Sequence, residues 1–297
     1  MGRSAAMGTV AMNRPAVSRE AVLAHNARAW DALAVRGAAL ARPAVDEAFG
    51  DPRSWLGSGG ATGAAGRPWL PDRLAGLHVL CLAAGGGKHA PLYAAAGAKV
   101  TVVDLSPAML DLDRQVARER KLQIEILEGS MDELSMLAQD FFDVVIHPVS
   151  TCYVSDVARV FCEVARVTRP GGIYVSQHKA PTSLQAGLEP SEAGRYELRV
   201  PAVLADPLPP AQPSRLREQG THEFVHTLSA LLGGICAAGF VIEDVAEPDH
   251  TRPDAGVGTF AHRAAFLPPY LRVLARRAAG GQGGAAAGSA RLIRLVE

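Results

Sequence analysis

VLCLAAGGGKHAPLYAAAGAKVTVVDLSPAML, Val79–Leu110, is the stretch that decides the architecture of this chain. A short apolar run, His78 to Ala83, closes into Gly85-Gly86-Gly87, a helical stretch Lys88 to Ala96 follows, and a second apolar run, Lys99 to Leu105, contains Asp104 near its end. Short, fully apolar runs separated by amphipathic helices read as parallel strands covered on both faces. Small residues at the first strand-to-helix junction let the backbone approach a ligand closely, and the helix start offers unpaired N–H groups. A glycine turn alone can equally serve packing. Asp104, 19 residues beyond Gly85, adds the second half of the argument. A carboxylate at that strand end lies beside the turn and can accept hydrogen bonds from both hydroxyls of a ribose. Its plain alternative is to cap the helix Pro107 to Lys121, a role that Ser106 fits better. The pair points to a nucleoside ligand.

Working outward, further strands are expected at Ile124 to Leu127, Phe142 to His147, Ile173 to Gln177, Phe240 to Val245 and Tyr270 to Ala275, with helices at Ala27 to Leu40 and His222 to Ala238. In the helix Pro107 to Lys121, Met109, Leu110, Leu112 and Val116 face inward while Asp111, Arg114 and Arg118 face water. The expected fold is α/β: a Rossmann-like sheet of seven strands with helices on both faces, an N-terminal helical cover and an insert after strand five. One domain is expected over residues 18–277, with its core at 77–180 and a proline-rich insert, read as a lid or substrate loop, at 181–220. Residues 1–17 read as a flexible tail and 278–297 as a Gly/Ala-rich tail of low complexity.

Thirty basic and thirty acidic residues cancel, which leaves no general field for nucleic acid or an acidic membrane surface. No apolar run has the length of a signal peptide or a membrane span. Cys81, Cys152, Cys162 and Cys236 are too widely spaced for a zinc or disulfide motif. A cytoplasmic protein that binds a small molecule is the expectation, and the sequence is silent on oligomeric state. His222 and His226, four apart, would share a helix face, but no metalloprotease pattern accompanies them and no metal site is assigned.

Four segments, VLCLAAGGGKHAPLYAAAGAKVTVVDLSPAML, EGSMDEL (Glu128–Leu134), FDVVIHPVST (Phe142–Thr151) and VARVTRPGGIYV (Val164–Val175), together resemble the successive signatures of class I S-adenosylmethionine-dependent methyltransferases. The resemblance covers about a third of the chain. It implies S-adenosylmethionine as cofactor, a turn of Ala83, Gly85 and Gly87 facing it, Asp104 on the ribose, Leu105 and Met109 flanking the adenine, and Met131 and Asp132 capping it, with the Asp132 carboxylate accepting from the exocyclic amine. His147 would lie near the sulfonium. Cys81 stands where an acidic residue is frequent and Ala83 where glycine is usual, which bears on how the amino-acid tail is held.

Methyl transfer from a sulfonium is an in-line displacement that loses charge, so alignment and a dry pocket matter most. A base helps where the acceptor carries a proton. His147 and His178 follow strands four and five at the carboxyl edge of the sheet, where ligands gather, and histidine titrates near neutrality. His147 is the candidate base, with a loop-fixing role as its alternative; His178 is a second candidate for substrate contact, with an exposed strand end beside Lys179 as its alternative. Ser150, Thr151 and Tyr153 would orient the acceptor, with packing in the following helix as the equal alternative for Tyr153. Trp30 and Trp55 either close the pocket or anchor the cover. The rivals are a nicotinamide-dependent oxidoreductase, for which no Tyr-x-x-x-Lys relay is present, and a non-catalytic nucleoside-binding partner subunit.

Overall fold

The computed structural model describes residues 17–58, 63, 66–212 and 214–279. The two expected tails therefore lie outside the described residues, apart from Val17, Ala278 and Ala279. Seven strands follow in chain order: β1 (His78–Leu82), β2 (Lys99–Asp104), β3 (Ile124–Glu128), β4 (Phe142–His147), β5 (Thr168–Lys179), β6 (Phe240–Ala246) and β7 (Tyr270–Arg277). They form one sheet in the order β3-β2-β1-β4-β5-β7-β6. Strand β7 runs antiparallel to both its neighbours, and the other adjacent pairs are parallel. The helices are α1 (Arg19–Val35), α2 (Pro52–Ser58), α3 (His89–Ala95), α4 (Pro107–Arg120), α5 (Val157–Val167), α6 (Pro181–Gln185), α7 (Gly234–Ala237) and α8 (Phe260–Ala264).

Strand residues alternate between two cores, as the two-residue period of a strand requires. Val79, Cys81, Val100, Val102, Val144, Ile146, Ile173 and Val175 face one side, with Leu92 and Tyr93 of α3 and Leu110 of α4. Leu80, Leu82, Val103, Val145 and Tyr174 face the other, with Val160, Phe161 and Val164 of α5 and Ile235 of α7. Each such side chain contributes about 1.5–3 kcal/mol on full burial. With both faces covered, the carboxyl edge of the sheet is where the loops after the strands can line a ligand site.

Local signals set the element ends. Ser106 caps α4 by accepting from Met109 N, Pro107 takes the first turn, and Lys121 ends the helix at φ 54°. That frees Asp104 from the capping role. In β5 the Arg-Pro-Gly-Gly segment shifts the register against β4 between Phe142 and Val144. A Cβ on Gly172 would lie 2.8 Å from Thr168 Cγ2 and 3.0 Å from Phe142 O, so the strand resumes only because glycine stands there.

Two expectations shift. Helix α1 starts at Arg19, on the Ser18 cap, and ends at Val35, earlier at both ends than Ala27 to Leu40. The helix expected from His222 begins only at Ser229, as a π-turn leading into α7. Tertiary bonds hold the preceding residues extended: Phe224 N donates to Cys152 O at 2.7 Å, Leu208 N to Glu223 O at 2.6 Å and His222 N to Asn26 Oδ1 at 2.7 Å. His222 and His226 thus share no helix face. The segment after α6 packs Leu208 and Val225 on Cys152, Tyr153 and Trp30, which roofs the carboxyl edge of the sheet. Among the described residues no helix is long and apolar enough to cross a membrane.

Candidate active site

Between that roof, α1 and the carboxyl ends of β1, β2, β4 and β5 lies a cavity of about 310 Å3. Its floor at one end is the turn after β1. Ala83 holds φ 47°, a left-handed conformation that costs an L-residue with a side chain roughly 1–2 kcal/mol. Glycine would adopt it freely, so alanine here is tolerated at a cost. At Gly85 an added Cβ would meet Met109 Cβ at 2.9 Å and Asp104 Oδ2 at 3.0 Å. The close approach of turn, carboxylate and α4 therefore depends on glycine at that position. Asp104 accepts from Gly85 N and Ser106 N, both at 2.9 Å, and still lines the cavity. Burial pushes its carboxyl up, against the pull of those amides.

Ala83, Gly85, Asp104, Leu105, Met109 and Met131 all line the cavity. Gly87 does not. Its φ of 71° and its contacts, in which a Cβ would meet Val116 and Pro43 at 3.1 and 3.2 Å, make it a packing residue beneath the turn. Asp132 is also turned away. Arg19 grips its carboxylate through Nε at 2.6 Å and Nη2 at 2.7 Å, and Ser130 Oγ donates to Oδ1. Burial opposes that charge, but Arg19 and Ser130 outweigh it and hold the carboxyl below its usual range. Ser130 and Met131, not Asp132, face the cavity. The expected contact from Asp132 to an adenine amine gives way to an ion pair that fastens α1.

His147 and His178 lie behind the wall. His147 is 1% exposed; its Nδ1 meets Tyr174 Oη at 2.7 Å and its Nε2 meets Ser150 Oγ at 2.6 Å. Burial, with His178 nearby, drops its pKa to about 3. Ser150 carries this buried pair to the cavity surface. His178 bonds Thr151 Oγ1 and Ser176 Oγ, both at 2.9 Å, and burial lowers it likewise to about 3. Two imidazoles expected to titrate near neutrality are neutral throughout that range.

At the opposite end from Asp104, Tyr153 lines the cavity and donates to Glu218. Lys179 Nζ bonds Glu218 at 2.5 Å and also Glu223. Sequence reasoning missed Glu218, Lys88, His89 and Gln177, all of which line the cavity. Lys88 and His89 follow the glycine turn directly and were within reach of a spacing argument; Glu218 sits in an insert with no periodic signal. A second cavity of about 370 Å3, lined by Trp55, Leu92, Tyr93 and His147, shares Lys88, His89, Pro148 and Gln177 with the first. Burial lowers His89 to about 4, with Lys88 adding to the effect. No group of His, Cys, Asp or Glu able to hold a metal ion occurs among the described residues.

Comparison with known proteins bears on this geometry. The family described as a methyltransferase domain matches residues 80–176. The uncharacterized methyltransferase YbaJ of Bacillus subtilis (strain 168) is 34% identical over 229 residues, covering 75% of this chain and 89% of that protein. The chain belongs to the class I S-adenosylmethionine-dependent methyltransferases. The crystal structure of an S-adenosylmethionine dependent methyltransferase from Mesorhizobium loti shares 27% identity with this methyltransferase at a TM-score of 0.55, over 70% of this chain and 94% of the other. The malonyl-[acyl-carrier protein] O-methyltransferase of Serratia marcescens is 32% identical over 110 residues, 37% of this methyltransferase and 41% of that enzyme. S-Adenosylmethionine is the cofactor of this chain, and the close-packed cradle at Gly85 beside the Asp104 carboxylate suits a ribose.

Proposed function

We propose that this methyltransferase acts on a small-molecule acceptor held in the same cavity as the donor. The observation that carries the reading is a single cavity with the Gly85–Asp104 cradle at one end and a polar, aromatic pocket at the other. Its volume of about 310 Å3 falls in the range of small-ligand sites. When bound, S-adenosylmethionine supplies an electrophilic methyl group on a sulfonium, displaced in line by the acceptor. Asp104 accepts from the ribose hydroxyls, Leu105, Met109 and Met131 enclose the adenine, and Lys88 at the head of α3 faces the amino-acid tail. Leu23, Trp30 and Val154 exclude water, which strengthens the electrostatic contacts inside.

His147 enters this scheme as a positioning residue. Its ring fixes Ser150, whose hydroxyl lines the cavity and also bonds Pro148 O at 3.1 Å. A neutral, doubly bonded imidazole suits that task better than accepting a proton from substrate.

Isothermal titration with S-adenosylmethionine, S-adenosylhomocysteine and NAD tests the donor site. The first two should bind and NAD should not. Asp104→Ala should weaken S-adenosylhomocysteine by about 1–3 kcal/mol, the cost of leaving ribose hydroxyls without a charged partner. Unchanged affinity in that variant would remove Asp104 from the site.

A further inference from the structure

The donor reading leaves a group of charges at the far end of the cavity without a task. Glu218 lines that end together with Tyr153, Gln177 and Tyr270. The Tyr153 hydroxyl and the Lys179 ammonium both donate to its Oε2, and among the described residues no hydrogen bond falls on Oε1. Lys179 also pairs with Glu223, whose second oxygen takes Arg217. The Lys179 and Glu223 side chains are 3% and 0% exposed. Burying ions costs several kcal/mol each, and apolar residues of equal volume serve stability as well or better. Stability therefore gives no reason to place this network against a ligand-sized cavity.

We propose that Glu218 accepts the proton of the acceptor's reacting group, and that this group is a hydroxyl on a planar, apolar molecule of the phenol class. The proposal rests on the donor site described above. Proton chemistry selects the hydroxyl. An amine attacks in its neutral form and can release its proton afterwards, whereas a hydroxyl oxygen becomes positively charged as the O–C bond forms unless its proton leaves to a base within reach. A carboxylate lining the cavity supplies that base. Wall shape selects the planar scaffold: Trp30 and Tyr153 meet edge to face at 5.6 Å, and Tyr270 completes the aromatic lining.

In the transfer, a lone pair on the hydroxyl oxygen forms the new O–C bond. The C–S bond breaks, and its electron pair goes to sulfur, which becomes neutral. The O–H proton passes to Glu218 and leaves to solvent with product. Lys179 and Tyr153 hold the carboxylate in place and are positioning residues.

The test uses the full chain saturated with S-adenosylhomocysteine, titrated with 4-fluorophenol and 4-fluoroanisole and followed by fluorine NMR. Wild type is expected to bind the phenol at least about tenfold more tightly than the ether, the margin of one hydrogen bond to a charged group. Glu218→Gln is expected to erase that margin while S-adenosylhomocysteine affinity stays within about twofold, since the two sites lie at opposite ends of the cavity. Glu218→Asp, which keeps the charge but withdraws it by one methylene, should retain less than about a third of the margin, because hydrogen bonds weaken steeply with misplacement. Equal binding of the two probes by wild type overturns the proposal, as does a margin that survives in Glu218→Gln. So does a parallel loss of S-adenosylhomocysteine binding in both variants, which would make Glu218 a folding residue. Failure of wild type to bind S-adenosylhomocysteine would instead overturn the donor reading.

Discussion

Asp113 shows how much one buried side chain decides around the glycine turn. It is wholly buried in α4, and its Oδ2 accepts Gly86 N at 2.9 Å. Burial, resisted by the Gly87 and Gly86 amides, raises its carboxyl pKa to about 7. Because the folded value lies above the unfolded one, the unfolded chain releases this proton first. Stability held by the group is complete below the ordinary carboxylate range and is lost as pH rises from about 4 to about 7, by at most ~4 kcal/mol at ~1.4 kcal/mol per pH unit. Thermal melts of wild type and Asp113→Asn from about pH 4.5 to about 8 check this. The wild-type midpoint should fall relative to the variant's as pH rises; parallel curves would show an ordinary carboxylate. Neutral His147 and His178 act in the other direction, losing stability on acidification toward their values of about 3. They are common to both proteins and cancel in the comparison. Asp104 was legible because strand end and glycine turn fix its place by spacing. Asp113 was not, since a helical Asp three residues from Leu110 reads as solvated until the turn is packed on it.

Helix α1 is fastened by polar groups along its length. Arg19 holds Asp132, Asn26 Nδ2 donates to Tyr153 O at 2.9 Å, and Asp31 accepts from Ser106 Oγ at 2.6 Å and Ala108 N at 3.1 Å. Its buried residues are only Val22, Asn26 and Leu33, so apolar burial contributes little to its docking. Arg19→Ala leaves a buried carboxylate half-satisfied and should loosen this element by about 1–3 kcal/mol. Hydrogen exchange should accelerate across residues 19–35 while β1 to β4 are unchanged; uniform acceleration would contradict a local latch. At α7 the packing is tighter. A Cβ on Gly234 would meet Phe161 Cδ2 at 2.9 Å, so Gly234→Ala should cost about 1–3 kcal/mol through overpacking, read as a lower denaturation midpoint. The apolar periodicity that announced α4 and the strands came from such packed faces. Helix α1 lies earlier than its sequence suggests because its anchors are hydrogen bonds to distant segments, which leave no periodic trace.

At the scale of the molecule, the sheet supplies the Gly85–Asp104 cradle and two non-sheet segments supply the roof. A chain lacking residues 1–36 should keep the sheet folded, since α1 provides few core side chains, yet should bind S-adenosylhomocysteine at least about tenfold more weakly through loss of one cavity wall. Far-UV circular dichroism and calorimetric titration of the shortened protein check both halves. Donor affinity equal to that of the full chain would show that α1 encloses only the acceptor end.

Strand positions, the glycine turn, the place of Asp104 and membership among S-adenosylmethionine-dependent methyltransferases were determined by the sequence alone, because period, spacing and the geometry of a parallel sheet act over short distances. Tertiary structure decided which of the candidate residues face the cavity. It turned Asp132 toward Arg19, set His147 and His178 behind the wall, and brought Glu218 from the insert to Tyr153 and Lys179. Those outcomes depend on which distant charge or hydroxyl the fold brings within reach of a buried polar atom, because burial makes an unpaired polar group costly.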